Sequence, residues 1–166
     1  ARGKRALCLG GAKNHLIVVP DADVALTADN VVASFMGCAG QRCMAASVLI
    51  AVGDCDHIIE AIRVRAAKLV TGTDMGPVTN AGSVTRISGY IDMAEKMGAK
   101  IIVDGRGANG DAGGYWVGPT IIDNATPEMP AGCEEIFGPV LAIVRVPNLE
   151  RAIEIETANP YGNASS

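Results

Sequence analysis

SVLIAVGDCDHIIEAIRVRAAKL, residues 47–69, changes hydrophobic period half-way along. Ser47 to Val52 is aliphatic and β-branched, the composition of a strand. His57 to Leu69 instead sets Ile58, Ile59, Ile62, Ala66 and Leu69 at helical spacing, with Arg63, Arg65 and Lys68 on a solvated face. The same alternation extends outward. Upstream, Leu16 to Val19 reads as a short buried strand, and Asp21 or Asp23 caps a helix through Val24, Leu26 and Val31 towards Phe35. The stretch Gly37 to Arg42 breaks that helix. Downstream, Val84 to Met97 is a second amphipathic helix, striped by Ile87, Ile91, Ala94 and Met97 and ended by Gly98. Lys100 to Val103, Tyr115 to Ile122 and Val140 to Val146 are strand candidates. Asp104 to Gly114, with five glycines, is a surface loop or hairpin, and Leu149 to Thr157 is a closing helix. Strands alternating with helices predict an α/β fold with a largely parallel sheet.

Composition agrees with that expectation. The chain of 166 residues suits one domain with a real core. It is 49% hydrophobic but only 4% aromatic, so Val, Ile, Ala and Leu must pack the interior, as under a buried parallel sheet. A net charge of -4 without any basic cluster argues against nucleic acid as the main partner. No apolar run approaches the ~20 residues of a membrane span, and no signal-peptide layout opens the chain, so a soluble protein is expected. The five cysteines, at positions 8, 38, 43, 55 and 133, are odd in number and form no CxxC pair. Neither a disulfide framework nor a zinc site is indicated, and His15 and His57 lack metal-ligand spacing, so no metal is expected. Free thiols fit a reducing compartment.

Three stretches carry candidate chemistry. In Gly40-Gln41-Arg42-Cys43-Met44-Ala45 a cysteine sits on a glycine-opened loop before ordered structure, next to a guanidinium. A free thiol, with a pKa of ~8.5, supplies only a few per cent thiolate at neutral pH, so a nucleophile needs such surroundings. An arbitrary cysteine is more often simply buried, and Cys8, Cys38, Cys55 and Cys133 are read that way. In Glu134-Glu135-Ile136-Phe137-Gly138-Pro139, two acids precede an aromatic and a Gly-Pro turn. The acids suit ribose hydroxyls and the ring suits a flat heterocycle; a solvated acidic turn with a core Phe is the alternative. Gly10-Gly11-Ala12-Lys13-Asn14-His15 permits close backbone approach, but it is neither a P-loop nor GxGxxG, so alone it marks a tight turn.

In this order the three stretches resemble the aldehyde dehydrogenase superfamily over essentially the whole chain. Gly-Gln-Arg-Cys resembles its G-Q-x-C nucleophile motif, and Glu135 to Pro139 its E-I-F-G-P cofactor motif. Met75 to Val78, the helix around Arg86 and Tyr90, and Gly118-Pro119-Thr120 follow the same layout. The resemblance implies an open, largely parallel twisted sheet with flanking helices. It makes Cys43 the nucleophile that attacks an aldehyde, Glu135 the group on the nicotinamide-side ribose of NAD, Phe137 a ring packed near the nicotinamide, and Gly10 a backbone position lining that region.

One departure narrows the subfamily. Hydrolytic members carry Glu-Leu-Gly-Gly-Lys, whose Glu activates the deacylating water. Here alignment on Lys13 puts Leu9 at that position, and alignment on Leu9-Gly10-Gly11 puts Cys8 there; neither is a carboxylate. Gly11 to His15, Gly40 to Ala45 and Asn159 to Asn163 resemble the methylmalonate-semialdehyde dehydrogenases, which resolve their thioester with CoA. That implies a semialdehyde substrate, NAD as cofactor, CoA as co-substrate and propionyl-CoA or acetyl-CoA as product. A hydrolytic aldehyde dehydrogenase and a non-catalytic fragment are the alternatives. In the subfamily the Arg before the nucleophile is implicated in holding the substrate carboxylate; Arg42 fits that role or a structural one equally. The connection between Val70 and Met75 is short for the subfamily.

The resemblance also implies that residues 1–166 are the cysteine-bearing part of a longer chain. A cofactor domain is expected before Ala1 and an oligomerisation segment after Ser166, giving a homodimer or homotetramer when complete. The piece alone is expected not to bind NAD tightly or to turn over. Bacterial cytoplasm is the expected location, or the mitochondrial matrix in a eukaryotic host.

Overall fold

A computed structural model describes residues 3–7, 10–110 and 113–166. Five strands and five helices follow the expected alternation. They are β1 (Asn14–Val18), α1 (Val24–Met36), β2 (Ala46–Val52), α2 (Asp56–Ala66), α3 (Ala81–Lys96), β3 (Lys100–Val103), β4 (Thr120–Asp123), α4 (Pro130–Cys133), β5 (Val140–Val146) and α5 (Leu149–Ala158). The strands form one sheet in the order β1-β2-β5-β4-β3. All neighbours run parallel except the edge pair β3–β4. The expected open, largely parallel sheet is therefore the observed one.

Strand pleating explains the layering. On β1 and β2, His15 and Val48 face α5, whereas Leu16, Val18 and Leu49 face α1. Covered on both sides, the central strands have no solvent face to alternate towards. Every residue of β2 except Ser47 is buried, as is every residue of β5 except Arg145. Arg145 spends its charge at the edge of that core on Asp123, 2.9 Å away, and Asp56, 2.7 Å away.

Local chemistry sets the helix ends. Asp23 caps α1 by accepting from the Leu26 N–H at 2.8 Å, and Asn80 caps α3 by accepting from the Ser83 N–H at 2.9 Å. Gly98 follows α3 with φ +95°. Two expectations need adjustment. Tyr115 to Pro119 is not strand; pairing begins at Thr120, because Pro119 has no N–H to donate. The four-residue α4 is too short to show a period in the sequence. The connection Val70 to Met75 closes as a tight turn, with the Val70 N–H donating to Asp74 Oδ2 at 2.8 Å and the Gly72 N–H to the Met75 carbonyl at 2.9 Å.

Candidate active site

The residues before β1, before β2 and before β5 converge because those three strands are adjacent and parallel. Each lead-in segment carries one of the three sequence motifs. They meet at the amino-terminal edge of the sheet, opposite the carboxyl end where open α/β sheets usually take ligands. Ala12, Asn14, Gly40, Cys43, Glu135 and Phe137 line a narrow crevice there, together with Arg42.

The nucleophile loop is built by an abrupt end to α1. Cys38 and Ala39 adopt left-handed φ values of +53° and +54°, which cost roughly 1–2 kcal/mol each for residues with a Cβ. Gly40 continues at φ +68°, and a Cβ placed on it would lie 2.0 Å from the Gly138 carbonyl oxygen. Only glycine permits that approach. The cysteine loop and the Phe137-Gly138-Pro139 turn are thus in backbone contact, and this contact brings the cysteine loop to Phe137.

Side chains then pin the loop. Gln41 Nε2 donates to the carbonyls of Cys38 at 3.1 Å and Pro77 at 3.2 Å. Its Oε1 accepts from the Thr79 N–H at 3.0 Å and the Thr79 hydroxyl at 2.7 Å. Asn14 Nδ2 donates to the carbonyls of Cys43 at 2.7 Å and Ala45 at 2.8 Å, and Asn163 Nδ2 donates to the same Cys43 carbonyl. The Cys43 peptide is held from two sides, with the residue itself exposed.

The opposite wall hangs from α3. Arg86 donates to the Ile136 carbonyl, and the Tyr90 hydroxyl donates to Glu134 Oε2 at 2.6 Å. The bond to a carboxylate, with partial burial, pushes the Tyr90 phenol up to about 12. Glu134 is therefore committed to Tyr90, while Glu135, half-buried, lines the crevice. Phe137 sits at φ +50° with 40% of its surface exposed. A left-handed, solvent-facing phenylalanine costs of order 1–3 kcal/mol and is characteristic of ligand clamps.

Not every candidate converges on the crevice in the same way. Arg42 turns its guanidinium back to α1, where Nη2 donates to the carbonyls of Ala33 at 3.1 Å and Ser34 at 2.8 Å. Gly10 is exposed and is not part of the crevice wall; Ala12 and Asn14 are. Leu9 and Cys8, the positions facing the missing carboxylate in the two alignments, lie outside the described residues. Of the cysteines read as buried, Cys55 is, with its thiol donating to the Val52 carbonyl at 3.1 Å. Cys38 and Cys133 are exposed, at the left-handed corner and at the end of α4. The sequence by itself does not mark Gln41, Asn14 or Asn163 as functional side chains. The only signal for them is that each lies inside a motif quoted for another residue.

The model of the aldehyde dehydrogenase family matches residues 1–166. The chain belongs to that family. A malonate-semialdehyde dehydrogenase of Pseudomonas aeruginosa is 44% identical, across 99% of this chain and 35% of its own length. A mitochondrial protein of Drosophila pseudoobscura pseudoobscura, named a probable acylating methylmalonate-semialdehyde/malonate-semialdehyde dehydrogenase, is 46% identical across 99% of the chain and 33% of its own. Among solved structures, a Sinorhizobium meliloti protein assigned as a methylmalonate-semialdehyde dehydrogenase and complexed with NAD superposes with a TM-score of 0.92. It is 40% identical and covers 98% of this chain and 35% of that one. The methylmalonate-semialdehyde dehydrogenase of Oceanimonas doudoroffii gives 0.90 at 42% identity, covering 95% and 34%. This aldehyde dehydrogenase chain thus spans about a third of the length of the relatives it matches.

Proposed function

We propose that Cys43 is the nucleophile of an NAD-dependent, CoA-acylating oxidation of malonate or methylmalonate semialdehyde, in a protein of which this chain supplies the cysteine-bearing part. The observation that carries the reading is the shared crevice. An exposed thiol, the Glu135 carboxylate, which makes no hydrogen bond among the described residues, and a strained, exposed Phe137 line one cleft, with Gly40 in backbone contact with the Phe137-Gly138 turn. The names of the relatives supply the substrate class.

The Cys43 sulfur, as thiolate, bonds to the aldehyde carbon, and the carbonyl oxygen takes the negative charge. The Cys43 N–H donates to that oxyanion, while the Cys43 carbonyl is kept aside by Asn14 and Asn163. NAD, when held there, would supply the hydride acceptor for that carbon, and Cys43 would then carry the acyl group as a thioester. Glu135 and Phe137 suit a ribose and a nicotinamide ring: Glu134 is tied to Tyr90 and Glu135 is not, and the Phe137 ring is presented rather than buried. The adenosine half of the cofactor falls to parts of the protein outside these residues.

The thiolate of CoA then attacks the thioester carbonyl, forming its own C–S bond and releasing the Cys43 thiolate. With loss of CO2, the α-carbon keeping the electron pair of the broken C–C bond and taking up a proton from solvent, the product is propionyl-CoA from the methylmalonyl group, or acetyl-CoA from the malonyl group. The lack of a carboxylate at Leu9 or Cys8 supports CoA over water as the acceptor, because a thiolate needs no general base at that step. Arg42 is proposed to meet the substrate carboxylate through the part of its guanidinium not engaged with α1. The test is product analysis on the complete protein. Acyl-CoA is expected, and free acid would replace this reading with hydrolysis. Cys43→Ser is expected to lower NADH formation by roughly a thousandfold or more; substantial residual NADH would reject Cys43 as nucleophile.

A further inference from the structure

Gly37, the first residue after α1, has no side chain, and the guanidinium of Arg42 lies against it. A Cβ built on Gly37 would meet Arg42 Nη2, and would lie 2.5 Å from Cζ and 3.0 Å from Nη1. Gly37 itself has φ -54° and ψ 128°, a conformation open to any L-residue. The backbone at this position does not ask for glycine. The Arg42 head group does.

The end of α1 holds that head group in place. Nη2 donates to the carbonyls of Ala33 and Ser34, both in the last turn of the helix. Carbonyls of a last turn run short of helical N–H partners, and the partial negative charge of the helix end favours a cation. With two bonds, Nη2 has spent both of its hydrogens. Among the described residues Nε and Nη1 make no hydrogen bond, and Arg42 is exposed where it lines the crevice with Cys43. An arginine tethered by one nitrogen keeps its other donors in a preset place, so a ligand does not have to order a free side chain on binding.

We infer that Gly37 is a specificity-determining residue: its bare Cα seats the Arg42 guanidinium at the end of α1, and the seat presets Arg42 for an aldehyde that carries a carboxylate at its far end. The inference rests on the reading of Arg42 as the group that meets the substrate carboxylate. It adds the position that makes such a receptor possible, since any side chain at 37 claims the ground on which the guanidinium lies.

The test is steady-state kinetics of the complete protein on malonate semialdehyde and on propanal, which has a methyl group in place of the carboxylate. The readout is the ratio of the two kcat/KM values, in which the folded fraction of the enzyme cancels. Gly37→Ala is expected to lower the ratio about tenfold, through the KM for malonate semialdehyde, the scale of one charge-assisted hydrogen bond. In an Arg42→Lys background there is no planar head group to displace, and Gly37→Ala should move the ratio by less than about twofold. If Gly37→Ala fails to fold, Arg42→Lys alone decides: it keeps the charge without the seat, and at least about a fivefold loss is expected. An unchanged ratio in Gly37→Ala, an equal loss from it in the Arg42→Lys background, or a parent-like ratio in Arg42→Lys would each overturn the inference. Arg42→Ala separates that failure from failure of the reading beneath it. A lowered ratio there upholds Arg42 as the carboxylate group, and a parent-like ratio removes that reading and the inference together.

Discussion

Replacing Lys13 by Met should stabilise the chain, and by an amount that depends on pH. Burial lowers the amine from 10.5 to about 8. Each pKa unit is worth about 1.4 kcal/mol between protonation states, so at neutral pH the charged folded form carries a penalty of about 3 kcal/mol. At 1% exposure, solvent does little to screen that figure. The sign follows from proton counts. Between about 8 and 10.5 the folded amine has released its proton and the unfolded amine has not, so the unfolded state binds more protons and stability rises with pH. Below about 8 both states are charged and the penalty is present in full. Met has similar length, fills the same space and carries no charge. Lys13→Met is therefore expected to exceed the parent by up to about 3 kcal/mol at pH 7, with the advantage fading through pH 8–10.5. Urea denaturation of both chains at pH 7, 8, 9 and 10, in carboxylate-free buffer, measures it; other titrating groups cancel in the difference. A difference that stays constant from pH 7 to pH 10, or a variant weaker than the parent at pH 7, would refute the reasoning.

Gly40→Ala should cost at least about 3 kcal/mol by urea midpoint and alter the rate at which iodoacetamide labels Cys43, because φ +68° and a 2.0 Å approach to the Gly138 carbonyl both oppose a Cβ. A variant within ~0.5 kcal/mol of the parent would mean that the two loops are not locked together. Gln41→Ala removes four hydrogen bonds and leaves the Thr79 N–H without its acceptor, so a loss of about 2–3 kcal/mol is expected, with kcat of the complete protein falling more than KM rises. Unchanged kcat would make Gln41 a purely structural residue. Glu134→Gln removes the carboxylate that holds the Tyr90 phenol near 12, so its ionisation should move down towards 10. Carbon-13 tyrosine spectra up to pH 11 follow this directly, and an unmoved Tyr90 resonance would contradict the Tyr90–Glu134 bond.

The fold was legible because its signals are local. The β2–α2 stretch carries its change of period within 23 residues, Asp23 and Gly98 mark helix ends, and aliphatic runs without polar alternation mark strands covered on both faces. The misplaced strand at Tyr115 to Pro119 failed for a local reason too: Pro119 withdraws a donor that a composition of Tyr, Trp and Val does not reveal.

The site was legible only as separate motifs, because what joins them is strand order. Nothing in a single sequence says that β5, rather than β3 or β4, lies beside β2, yet that adjacency alone carries Glu135 and Phe137 to the edge where Cys43 emerges. The same cause hides the supporting residues. Gln41 meets Thr79, Asn163 meets Cys43, and Tyr90 meets Glu134 across spans of 38, 120 and 44 residues. Each is an ordinary polar residue until the sheet is assembled. Lys13 shows the same limit in reverse: the sequence places it only within a tight turn, and its burial follows only once α5 closes over the face of β1. Local chemistry therefore names the reacting groups, and the order of parallel strands decides which of them can act together.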